Sequence, residues 1–172
     1  MAAKKTATFY VRMDLNLDND NAFHQDEIDL GAYVNVLGRS VLSVKSVQTA
    51  ITDINGRMPD ITAGDGAAYS WQLSTQSQAA TIRISDNSIV AAGGGTAIEQ
   101  GAGTIAGSWS EYSVGPHHYQ TDDGYLVATE SLFLGGSATT NWTEDVYVSL
   151  ILECQVVTMD VQDGVALALS QQ

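Results

Sequence analysis

Two long runs of strict alternation constrain this chain more than anything else in it. From Thr8 to Leu17, Phe9, Val11, Met13, Leu15 and Leu17 fall on one side, while Tyr10, Arg12, Asp14 and Asn16 fall on the other. From Glu144 to Val161, Val146, Val148, Leu150, Leu152, Cys154 and Val156 alternate with Tyr147, Ser149, Ile151, Glu153, Gln155 and Val157. A period of two puts successive side chains on opposite faces of an extended chain, so each run reads as a strand with one face in a core. The second run is apolar on one side and mixed on the other, which suits the centre of a sheet. Asp18-Asn19-Asp20-Asn21 supplies the turn after the first.

Shorter segments continue the pattern. Asp29 to Ile51 reads as short strands with a turn at Gly38-Arg39. Leu42 and Val44 share a phase that Val47, Thr49 and Ile51 reverse, so a bulge is expected near Lys45-Ser46. Asn55 to Gly66 reads as a loop, Tyr69 to Thr75 as a strand, and Thr81 to Ser85 as another strand closed by Asp86-Asn87-Ser88. Ala91 to Gly107, with Gly93-Gly94-Gly95 and three further glycines, reads as a long loop holding at most one short strand. Strands follow over Tyr125 to Leu134, with a break at Gly135-Gly136, and Val165, Leu167 and Leu169 suggest a last strand. The best helical candidates are a turn at Glu27 to Val34 or a piece of Ala91 to Gln100. About eight antiparallel strands without βαβ alternation predict one all-β domain over residues 1–172, a single jelly roll or β-sandwich.

Composition narrows the function. A chain of 172 residues with 44% hydrophobic residues buries a core without covalent staples. Only 16% of residues are charged, so the polar surface is built from Ser, Thr, Asn and Gln, which suits strands and wide contacts between subunits. Against 20 acidic residues stand 7 basic ones, a net charge of −13, and Arg83 is the last Lys or Arg. Such a surface repels phosphate backbones, which argues against direct nucleic-acid binding, and Lys4-Lys5 is too short for a genome-binding arm. A single cysteine, Cys154, excludes an internal disulfide framework, and its place in the alternation reads as a buried thiol. No stretch approaches the roughly 20 apolar residues that span a bilayer. No apolar run precedes Thr8, so the expectation is a soluble product of the cytoplasm without a signal peptide.

Candidate chemistry is sparse. Asp14, Asn16, Asp18 and Asp20 offer oxygen ligands at spacings that resemble a calcium loop, but without the glycine and glutamate of an EF-hand. His117-His118 with Asp122-Asp123 mixes metal-ligand types, yet adjacent residues on an extended chain face opposite ways. No Gly-x-Ser-x-Gly elbow and no phosphate loop occurs. The carboxylates permit many glycosidase-like pairs and single out none. Trp71 alternates into a strand and reads as core; Trp109 and Trp142 sit beside loops and read as the open pair. With Tyr112, Tyr119 and Tyr125 they are the candidates for a glycan-binding face. Asn141-Trp142-Thr143 is a glycosylation sequon by pattern. No residue is assigned as catalytic, cofactor-binding or metal-ligating, no cofactor is expected, and the chain reads as a non-enzyme.

Ile28 to Val34, Arg39 to Val47 and Tyr69 to Gln76 resemble the early strands of small capsid proteins of icosahedral archaeal and bacterial viruses. The resemblance implies a single jelly-roll major capsid protein standing upright in a virion shell. It also implies self-assembly, a second capsid protein as partner, and contact with an internal membrane. The alternative from the residues is a carbohydrate-binding or adhesin sandwich that takes host glycans on its Trp and Tyr side chains.

Overall fold

A computed structural model describes residues 6–99, 107–116 and 124–171. The two alternating runs become β1 (Phe9–Asn16) and β9 (Tyr147–Thr158). They are neighbours, paired antiparallel from Phe9 opposite Cys154 to Asn16 opposite Tyr147. Between them in sequence come β2 (His24–Asp29), β3 (Ser40–Thr52), β4 (Gly66–Ser74), β5 (Ile89–Glu99), β6 (Gly107–Val114), β7 (Tyr125–Val127) and β8 (Ser131–Ala138). One helix, α1 (Val161–Ser170), follows β9.

The strands form two antiparallel sheets with orders β1-β9-β3-β7 and β2-β8-β4-β5-β6. Their facing sides meet in one core. Leu15, Val148, Leu150, Leu152 and Cys154 come from the first sheet, and Trp71, Leu73, Leu132 and Leu134 from the second. Except in the β4-β5-β6 meander, every connection carries the chain from one sheet to the other. That connectivity is a jelly roll, and the all-β sandwich read from the sequence is the fold.

β3 is a single strand of 13 residues rather than several short ones, and its register against β9 shifts between Val44 and Ser46, where the phase reversal places a bulge. Around the bulge, seven consecutive residues from Val41 to Val47 are buried. One face belongs to the main core. The other is covered by a second cluster in which Val41, Ala128 and Val157 pack with Leu167 and Ala168 of α1.

The structure corrects several expectations. Val165, Leu167 and Leu169 lie on a helix, not a strand. Asp160 accepts a hydrogen bond from the Val161 N–H at its start, and Leu167 alone of the three packs inward while Leu169 is 64% exposed. Ala91 to Glu99 is strand, not loop, and the glycine run is the reason it can be one. A Cβ at Gly93 would lie 2.5 Å from the Trp71 indole nitrogen, so only glycine lets that ring lie on β5. The remaining residues of that expected loop, 100–106, lie outside the described residues. Gly135-Gly136 does not break a strand, because β8 runs through both; a Cβ at Gly136 would sit 2.3 Å from the Ser70 carbonyl oxygen. Thr81 to Ser85 forms no strand. Its neighbourhood is tied to the buried Gln72, whose side chain accepts from Ile82 N (2.8 Å) and donates to the Ala80 oxygen (3.1 Å). Of the helical candidates, Glu27 to Val34 begins in β2 and ends in a single turn, where the Val34 N–H donates to the Leu30 oxygen at 2.9 Å, and β5 occupies Ala91 to Glu99.

Candidate functional site

Sheet edges are where a sandwich without a marked reaction centre meets other molecules, since an unpaired strand presents free N–H and C=O groups. Among the described residues the four edges are β1, β7, β2 and β6. β1 carries Arg12, stacked over Tyr10 at 5.8 Å, and Asp14. β2 carries exposed Asp26, Glu27 and Asp29. β7 has three residues, and Gln171 closes it: the side chain donates to the Leu126 oxygen (2.6 Å) and accepts from the Ala128 N–H (3.1 Å). Gln171 is itself held, its backbone oxygen accepting from the Thr75 hydroxyl at 2.7 Å. β6 differs from all three. It has eight residues, Gly-Ser-Trp-Ser-Glu-Tyr-Ser-Val, with Glu111 as its one charge. Tyr112 and Val114 are exposed on it, and Ile98 of β5, opposite Ser108, is exposed as well. Among the described residues no strand pairs with its outer side.

Trp109 and Glu111 stand two apart on β6, so both point to the inner face. Glu111 Oε2 accepts from the Tyr69 hydroxyl (3.2 Å) and from Trp109 Nε1 (3.3 Å). Burial and then the nearby Glu111 carboxylate push the Tyr69 phenol well above its ordinary range, so it stays a donor. Trp109 lies 5.9 Å from the Tyr69 ring and 6.0 Å from the Trp142 ring. Trp142 is not open, as its place beside a loop suggested. It is 2% exposed, donates from Nε1 to the Ala68 oxygen at 3.1 Å, and forms a bridge with Ile61. The expected open pair therefore reduces to Trp109, which is half-buried, while Trp71 is core as expected. Tyr125 is half-buried and Tyr119 lies outside the described residues. The sequon's Asn141 donates to the Gly66 oxygen at 2.7 Å.

Of the calcium-like set, Asp18 and Asp20 come together and Asp14 does not join them. The third member is His24, which sequence spacing did not pair with them. Its Nε2 lies 3.1 Å from Asp20 Oδ1 and 3.5 Å from Asp18 Oδ2. Left-handed backbone at Asp18 and Asn21 curls the turn until the start of β2 meets it. The hydrogen bond from His24, then that from the Ala22 N–H, holds the Asp20 carboxyl below its ordinary value. Asn16 donates to Asp18 Oδ1 at 2.7 Å, so the corner is knitted by its own side chains. Two carboxylates with an imidazole match transition-metal chemistry better than the all-oxygen shell of calcium. His117, His118, Asp122 and Asp123 lie outside the described residues. Cys154 is fully buried, and burial followed by the Glu153 carboxylate pushes its thiol up to about 12, an inert state near neutral pH.

No protein-family model matches the chain, and no curated protein matches it in sequence. Among solved structures it is similar to a chain of Desmodium yellow mottle tymovirus, at 11% identity and a TM-score of 0.35, over 88% of this chain and 81% of that one. A chain of turnip yellow mosaic virus matches at 11% identity and a TM-score of 0.31, over 90% and 82%. The capsid protein in a decameric BFDV crystal structure matches at 5% identity and a TM-score of 0.16, over 89% and 100%. Overlap of this kind carries no functional inference.

Proposed function

We propose that this chain is a structural subunit of a viral capsid, joining an icosahedral shell through its edges and loops, with β6 as the main adhesive edge. The observation that carries the reading is the contrast at the sheet margins. Three edges are charged or closed, and the β6 edge, whose one charge is Glu111 on its inner face, is neither. A jelly roll hosts many unrelated functions, so the edge and not the fold supports assembly. The surplus of 20 acidic over 7 basic residues fits a shell protein that leaves the genome alone. A second capsid protein and an internal membrane or its proteins are the further partners of this reading, with the virion as its location.

The test is the assembly state of purified protein at high concentration, by mass photometry and cryo-electron microscopy. Wild type is expected to form oligomers or shells. The Ser110→Lys/Val114→Lys double variant puts two charges on β6 and is expected to stay monomeric, with stability within about 0.5 kcal/mol of wild type. A wild type that is monomeric throughout, or a double variant that assembles like wild type, overturns the proposal.

A further inference from the structure

The inner face of β6 overhangs the first sheet and leaves a cleft of about 360 Å³ at that end of the sandwich. Ile51 and Met58 wall one side; Tyr69, Trp71, Trp109 and Glu111 form the other. We propose that this cleft binds a small alkylammonium ion, with Glu111 as its counter-charge and Trp109 as the aromatic surface beneath it.

The chemistry selects the ligand class. Aromatic ring faces are electron-rich and attract a weakly hydrated organic cation. Among the described residues no Lys, Arg or His lines the cleft, so the Glu111 charge meets no cation among those walls. Both protein donors converge on Oε2, which fixes the carboxylate, and Oε1 has no donor among the described residues. An anion is repelled by both features. A neutral molecule gains from the charge only a hydrogen bond to the carboxylate and leaves the charge itself uncompensated. A calcium or magnesium ion needs several oxygen ligands at short range, where the cleft offers one carboxylate. An alkylammonium needs one negative charge and an apolar, polarisable wall, and the cleft has both. The site is independent of assembly, since it uses the inner face of β6 and not its outer edge.

The test is a titration with tetramethylammonium chloride, against sodium chloride at equal ionic strength, followed by tryptophan fluorescence and amide chemical shifts. A saturable response is expected, weakened about tenfold or more in Glu111→Gln and in Trp109→Leu. Thermal melts of both variants establish that they remain folded, and Tyr10→Ala serves as a remote aromatic control with unchanged binding. Running n-butylammonium beside tetramethylammonium separates a lysine-like primary amine from a quaternary one; tighter binding of either supports the site. An equal response to neutral tert-butanol, or full binding by Glu111→Gln, overturns it, as does a wild type that responds to neither cation.

Discussion

The outer strands β7 and β6 close opposite problems in opposite ways. β7 has three residues, and a glutamine side chain occupies the positions that a neighbouring strand's amide would fill. β6 has eight residues and stands open, its outer face hydroxyl and aromatic. A short edge capped from within its own chain is satisfied as a monomer. A long, nearly neutral one leaves its outer N–H and C=O groups to water and open to a further strand. One sandwich thus holds an edge closed by its own chain and an edge left open.

The strongest way to break this contrast is at the closed edge. Gln171→Met keeps the volume but removes both hydrogen bonds, leaving the Leu126 oxygen and the Ala128 N–H without them. The expected cost is about 2–4 kcal/mol in urea unfolding. A loss below 0.5 kcal/mol would mean that water already serves that edge. Next in size is the support of the open edge. Gly93→Ala drives a methyl into the Trp71 indole, and β5, the only partner of β6 among the described residues, must shift; about 1–3 kcal/mol is expected from thermal unfolding. An unchanged midpoint would show that the ring can move aside.

The smallest effect is a pH dependence confined to the closed side. Asp86 accepts from the Ser88 hydroxyl and then the Ser88 N–H, and both hold its carboxyl below the ordinary 3.8. The Ser88 oxygen in turn accepts from Thr75 N at 2.8 Å, and the Thr75 hydroxyl donates to Gln171, so this turn braces the clasp. Its folded value lies below its unfolded one, so its contribution is complete above pH 3.8 and is lost as pH falls through the depressed value. The melting temperature of Asp86→Asn should therefore fall less than that of wild type between pH 5 and more acidic conditions. Parallel curves would remove Asp86 from the brace.

Much of this fold is legible in the sequence wherever one face of a strand is wet and the other dry. β1, β9, the turn at Asp18 to Asn21 and the β3 bulge all show as phase, because phase is what burial on one side imposes. The failures share a cause: the deciding contact lies far along the chain. Gly93 and Gly136 read as breaks because their necessity belongs to Trp71 and to the β4 backbone. Trp142 reads as open beside Asn141 and Thr143, but its partners are Ile61, Ala68 and Tyr69. In α1 the spacing of Val165, Leu167 and Leu169 mimics a strand, although Asp160 and the acidic first turn with Asp163 announce a helix. The cleft had one local signal that spacing rules could have found, Trp109 and Glu111 two apart on one strand face. His24 had none, since it meets Asp20 only after two left-handed residues in the turn.

The place of β9 in its sheet sets a timetable. It lies between β1 and β3, which pair with it and not with each other, and it is the last strand in the chain. During synthesis, β1 and β3 emerge long before their shared partner does, and the sheet has no middle until residue 147 onward is available. The second sheet gains its β4-β5-β6 meander early from local hairpins, whereas the first waits for a keystone. The unfinished chain therefore carries more unpaired edge than the finished sandwich, and β9 turns a sticky intermediate into a fold with β6 as its long open side.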